Sequence, residues 1–154
     1  MTTLTVGSYS HGTLRAQDLA DTLRDMLRSV GIADISTLAE EIAAIADNER
    51  RDEEHDSEVI ADAMDELQEY APPFCYVGMH EGDGSDLGVW FDHDAFEEAC
   101  RDGEILKITD SSYLDDMAKE DIAAYNYIAV ISDHGNVSLY HVHVTLGAEV
   151  FSIV

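Results

Sequence analysis

The sequence predicts an α+β domain in which N-terminal helices pack on one face of a largely antiparallel sheet. Two observations predict it. Apolar residues recur at helical spacing through the first half of the chain, and short β-type runs separated by Gly-, Asp- and Asn-containing turns fill the second. Helices and strands segregated in this way, rather than alternating, mark the α+β class. A chain of 154 residues can bury a sizeable core, and residues 1–154 read as a single globular domain.

The elements follow in order. Residues 3–8 (TLTVGS) alternate enough for a first strand, and Gly12 with Thr13 makes a turn and a helix cap. Leu19, Leu23, Met26, Leu27 and Val30 give the following helix its apolar face, and Gly31 stops it. Ser36 or Thr37 starts a second helix, where Thr37 and Glu40 fit a capping box and Leu38, Ile42, Ile45 and Ala46 form the buried stripe. That helix should end near Asn48. Residues 48–57 read as an exposed connection or as a frayed extension of either neighbour.

From Ser57 the pattern is helical again, with Ile60, Ala63, Met64, Leu67 and Ala71 on one side. Pro72 and Pro73 end it, because neither can donate a backbone hydrogen bond. Residues 74–79 and 87–91 form a hairpin across the polar turn 80–86. Asp92 or Asp94 caps a short helix through Cys100 that Gly103 closes, and residues 104–109 (EILKIT) give another strand. Residues 111–125 carry Leu114, Ala118, Ile122 and Tyr125 at helical spacing and read as one short helix. Residues 127–132, 137–145 and 149–154 are three strands joined by short turns, hence antiparallel.

Net charge is the chain's most unusual property. Formal charge is −25, with a pI near 4.1, yet 45% of residues are hydrophobic, which is incompatible with wholesale disorder. A surface this negative repels phosphate and lacks a basic stripe, so nucleic acid is excluded as a direct ligand. No apolar run approaches the length of a membrane span, and the N-terminus has neither a basic nor a long apolar export segment. Two cysteines, Cys75 and Cys100, are too few for a disulfide framework and indicate a reducing, cytoplasmic setting, both read as small buried apolar residues.

The acid is concentrated. Residues 47–69 hold eleven carboxylates against two arginines, a local charge of about −9. Glu58, Asp62, Asp65 and Glu69 fall at i, i+4, i+7 and i+11, opposite the apolar stripe. They make a line of like charges spanning about 16 Å at 1.5 Å per residue, a spacing that resembles the phosphates of a nucleic-acid strand. A second line, Asp18, Asp21 and Asp25, is interleaved with Arg15, Arg24 and Arg28 and reads as ordinary solvated pairing. A second cluster includes Glu81, Asp83, Asp86, Asp92, Asp94, Glu97, Glu98, Asp102 and Glu104, broken only by Arg101.

The segment 71–90, APPFCYVGMHEGDGSDLGVW, resembles a motif of small acidic proteins encoded by phages and prophages. The similarity recurs at Gly12-Thr13-Leu14-Arg15, at residues 132–140 (SDHGNVSLY) and at Phe151-Ser152-Ile153-Val154, with no matching pattern between Ser29 and Ser57. That group has no assigned activity to carry over. The resemblance implies a viral origin and nothing about chemistry; a phage origin favours a protein that interferes with host defence, where some inhibitors imitate DNA with acidic surfaces, and no specific antirestriction motif is present.

The expected function is therefore a nucleic-acid mimic, cytoplasmic in the host cell, that inhibits a DNA-binding defence enzyme of restriction or CRISPR type. Asp52, Glu53, Glu54, Glu58, Asp62, Asp65, Glu66 and Glu69 are its expected contacts, each pairing with an arginine or lysine of a basic DNA- or RNA-binding host protein. No cofactor, metal or catalytic residue is assigned. One alternative is a metal-dependent or nucleophilic enzyme built on His80 and His93 or on His141 and His143. Asp83, Ser85, Leu87, Gly88 and Asp94 fit a calcium-binding loop poorly, since Leu87 occupies a ligand position. The other is an accessory protein whose acidity serves solubility or salt tolerance, consistent with two lysines beside six arginines and nineteen Asp beside fourteen Glu.

Overall fold

The structure, a computed structural model, describes residues 3–32, 37–47, 52–142 and 149–153. The first elements are β1 (Gly7–Ser10), α1 (Ala16–Val30), α2 (Thr37–Ala46), α3 (Glu53–Gln68), β2 (Cys75–His80) and β3 (Asp83–Phe91). After them come α4 (His93–Arg101), β4 (Ile105–Ile108), α5 (Tyr113–Asp116), α6 (Lys119–Ile122), β5 (Tyr127–Ile131), β6 (Val137–His141) and β7 (Glu149–Ile153). The class is α+β. Where one domain with one sheet was expected, the chain divides into two compact units, Met1–Phe91 and Asp92–Val154, each with its own sheet.

In the first unit α1, α2 and α3 pack on one another, and the sheet runs β1-β3-β2, antiparallel throughout. Helix α1 buries Leu19, Leu23, Met26, Leu27 and Val30, the stripe the spacing predicts. It ends at Gly31, whose φ of 84° lets the Ile32 N–H donate to the Leu27 carbonyl at 3.1 Å. Helix α3 buries Val59, Ile60, Ala63 and Leu67 and packs against β2. In the sheet, Val77 lies opposite Val89, and Val77, Leu87 and Val89 are buried. On the other face a Cβ at Gly88 would collide with the Gly7 carbonyl oxygen and the Trp90 ring, so only glycine lets these strands and that indole approach.

Several boundaries differ from the sequence reading. Strand β1 starts at Gly7, not Thr3; Leu4 is buried and its N–H donates to the Tyr70 carbonyl at 2.8 Å, outside any ladder. Helix α2 starts at Thr37, as expected, but ends at Ala46 rather than near Asn48, and residues 33–36 and 48–51 lie outside the described residues. Helix α3 begins at Glu53, four residues before Ser57, because the Asp52 carboxylate caps it by accepting the His55 N–H at 3.3 Å. The hairpin turn shrinks to Glu81-Gly82, since β3 already starts at Asp83.

In the second unit the sheet runs β4-β5-β6-β7. Strands β5, β6 and β7 are antiparallel, as expected, whereas β4 and β5 are parallel. A parallel pair needs a crossover, which residues 109–126 provide. They form two one-turn helices rather than one, because Met117 (ψ 142°) and Ala118 (ψ 140°) are extended and interrupt the spiral. Asp92 caps α4 by accepting the Ala95 N–H at 2.9 Å, and Phe96 and Ala99 are buried. The continuation of β6 expected to residue 145 falls partly on residues 143–148, outside the described residues. Neither cysteine is in a disulfide. Cys75 is buried, but Cys100 is half-buried rather than buried, and what burial it has pushes its thiol pKa up.

Candidate partner-binding surface

The surface of interest is the solvent side of α3. With 3.6 residues per turn, Glu54, Glu58, Asp62, Asp65 and Glu69 fall within about 80° of one another around the axis and climb about 22 Å along it. All five are exposed. Glu66, also exposed, borders this stripe. Glu53 is exposed but lies round the axis from it, and the Asp52 carboxylate is committed to capping the helix. Of the eight residues chosen from sequence, six therefore make one anionic ribbon and two stand apart from it. Six charges over about 22 Å approach, but do not reach, the one phosphate per about 3.4 Å of a DNA strand.

Among the described residues no cation forms an ion pair with Glu54, Glu58, Asp62, Asp65, Glu66 or Glu69. The helix carries no basic residue in its last turn. Like charges three and four apart repel by roughly 0.2–0.5 kcal/mol per pair, and carboxylates beside a helix C-terminus oppose its dipole. The ribbon is locally unfavourable and is held by the apolar face beneath it.

One acid of this stretch behaves differently. Asp56 is 6% exposed, on the core side of α3 one turn before Ile60, and its Oδ1 has no hydrogen-bond partner. Counting carboxylates along the sequence missed it; the signal was there, because Asp56 precedes Ile60 by four and so shares its face. Beside it, His55 Nε2 lies 3.6 Å from Glu41 Oε1.

Four of the nine acids in the second cluster are occupied by bonds: Asp92 in capping α4, and Asp83, Asp86 and Glu97 as follows. Asp83 Oδ1 accepts both the Ser85 hydroxyl at 2.7 Å and the Ser85 N–H at 3.0 Å, which hold its carboxyl below the usual range. Asp86 accepts the Ser8 hydroxyl and lies 3.4 Å from His11 Nδ1. Glu97 accepts Lys107 Nζ at 2.9 and 3.1 Å.

As for the histidines, His80 ends β2, accepts the Gly82 N–H on Nδ1 at 3.0 Å and meets the Trp90 ring edge-on at 4.6 Å between centroids. His93 opens α4, His141 ends β6 with its ring 5.0 Å from that of Tyr127, and His143 lies outside the described residues. Among the described residues no three His, Cys, Asp or Glu side chains come together to hold a metal ion. No helix there is long and apolar enough to cross a membrane. The fold and this surface define a class, an α+β protein with an unneutralised carboxylate ribbon on one helix. No protein-family model, curated protein or solved structure matches the chain.

Proposed function

We propose that this chain is a phage-type nucleic-acid mimic that occupies the DNA-binding cleft of a host defence enzyme of restriction or CRISPR type. The observation that carries the reading is the ribbon: exposed carboxylates at one-turn intervals on α3, without a neutralising cation among the described residues. Arginines and lysines that normally meet phosphates would meet Glu54, Glu58, Asp62, Asp65, Glu66 and Glu69 instead. Asp52 and Glu53, first chosen with them, fall to the margin.

The test is inhibition of DNA cleavage by a restriction nuclease or CRISPR effector of the host. Inhibition should weaken steeply from 50 to 200 mM salt, by as much as about 1,000-fold for six phosphate-like contacts. Joint replacement Asp62→Lys, Asp65→Lys and Glu69→Lys should abolish it and leave the circular-dichroism spectrum unchanged. Affinity that ignores salt, or survives the triple replacement, would refute mimicry.

A second reading has its own support. Exposed carboxylates also cover the second unit, among them Asp94, Glu98, Asp102, Glu104, Glu120 and Asp121, as a solvated coat suited to high salt would require. On that reading, added salt raises the unfolding temperature and no basic partner is captured.

A further inference from the structure

We infer that the second unit binds a small organic ammonium ligand, an amine on an apolar or aromatic body, in the cleft at the carboxyl ends of β4 and β5. The cleft is open to solvent and offers about 590 Å³, within the 300–1,000 Å³ usual for small-molecule sites. Its position has a physical reason. Where two parallel strands end, their chains diverge into separate connections and leave a crevice, the place where open α/β sheets hold ligands. Here the crossover turns away from Ile108 and comes back to β5, which leaves at Ile131, and α5 forms the side wall.

The lining selects the ligand's chemistry. Ile108, Ile131 and Met117 offer an apolar floor and walls, and the Tyr113 ring, 57% exposed, stands at the side. Two charged residues reach the cleft, Lys107 and Asp116. Lys107 is already committed: its Nζ donates to both oxygens of Glu97 at 2.9 and 3.1 Å and lies 5.8 Å over the Phe96 ring. Asp116 has no ion pair or hydrogen bond from its side chain among the described residues. The uncompensated charge of the lining is thus negative, and it shares the cleft with an aromatic side chain, Tyr113, a combination that favours an ammonium group over a carboxylate. An exposed ion pair contributes little by itself, so the apolar body supplies affinity and the ammonium supplies selection.

The experiment titrates the full chain with 4-phenylbutylamine, 4-phenylbutanol and 4-phenylbutyrate, one tail with three charges, by calorimetry and amide chemical shifts. The amine should bind roughly three- to thirtyfold tighter than the alcohol, the carboxylate weakest, with shifts centred on residues 107–117 and 131. Asp116→Asn should bring amine and alcohol together, while Glu98→Gln, which removes an exposed carboxylate outside the lining, leaves the preference intact. Ile131→Trp fills the cleft and should abolish all binding; if that variant does not fold, Tyr113→Ala on an exposed residue should reduce the amine's advantage. Equal binding of amine and alcohol, loss of the preference in Glu98→Gln, or shifts spread over the whole acidic surface would overturn the inference.

Discussion

Helices α1 and α3 belong to the same unit, bury one apolar stripe each and present carboxylates to solvent, yet electrically they are opposites. On α1 every acid of the exposed line has an arginine: Arg15 lies 3.8 Å from Asp18, Arg24 bridges Asp21 and Asp47, and Arg28 lies 3.2 Å from Asp25. Arg28 also sits in the last turn, where a cation suits the helix dipole. On α3 the acids continue through the last turn without a basic residue. Acid content alone therefore does not make an acidic surface. The placing of a few cations decides whether a helix face is nearly neutral or strongly anionic, and with eight Lys and Arg in the chain each placement counts.

If the two helices are alike below and unlike above, the largest effects should be shared. Leu23→Ala on α1 and Leu67→Ala on α3 remove side chains of 0% exposure, and each should lower stability by about 2–5 kcal/mol, read from denaturant unfolding. A loss below about 1 kcal/mol for Leu67→Ala would mean that α3 is not held by its core face. The next effect is peculiar to α3. Asp56→Leu replaces a buried carboxylate lacking a partner on Oδ1 and should raise stability by about 1–3 kcal/mol; a fall would mean the carboxylate is better satisfied than its Oδ1 suggests.

How much of this contrast the sequence could disclose depended on the range of the interaction. The capping of α4 by Asp92, the stop at Gly31 and the stripe of α1 are set within a few residues, and they stand where the spacing places them. The ribbon was legible for the same reason, since residues four apart on a helix must share a face. What escaped was non-local or a matter of competition. The parallel pairing of Ile105–Ile108 with Tyr127–Ile131 is between segments joined by a long crossover, and no periodicity reports it. The extension of α3 back to Glu53, one of the alternatives the spacing left open, turned on Asp52 acting as a cap, a role its acidic neighbours concealed. Division into two units was equally hidden, because no Pro- or Gly-rich linker separates Phe91 from Asp92.

Smaller effects sharpen the contrast at the surface. Glu69→Lys should stabilise by about 0.3–1 kcal/mol by reversing an anion at a helix C-terminus, and Arg28→Glu on α1 should destabilise by a similar amount. Both changes, followed by thermal melting at low ionic strength, should shrink in 1 M salt, where the Debye length falls to about 3 Å. Equal signs for the two would erase the distinction between the helices. Because Glu69→Lys should also weaken partner binding, it separates function from stability: one substitution improves the fold and impairs the proposed activity.

The pH dependence should be modest and two-sided. The carboxyl of Asp83, held low by the Ser85 hydroxyl and then the Ser85 N–H, contributes stability that is present above the unfolded value near 3.9 and fades as pH falls through the lower folded value. Lys107, raised chiefly by its bond to Glu97, contributes stability present below about 10.4 that is lost as pH rises through its higher folded value. Stability measured against pH should flatten on the acid side in Asp83→Asn and on the alkaline side in Lys107→Met.

The crowding of Trp90 over Gly88, with its indole N–H donating to the Gly78 carbonyl at 2.9 Å, gives the molecule an optical asymmetry. Trp90 is the single tryptophan of the chain, so red-edge emission reports from the unit that carries α3. In one cuvette, indole light then reads the surroundings of Gly88 and Gly78, and far-ultraviolet dichroism reads the helices and strands of the whole chain.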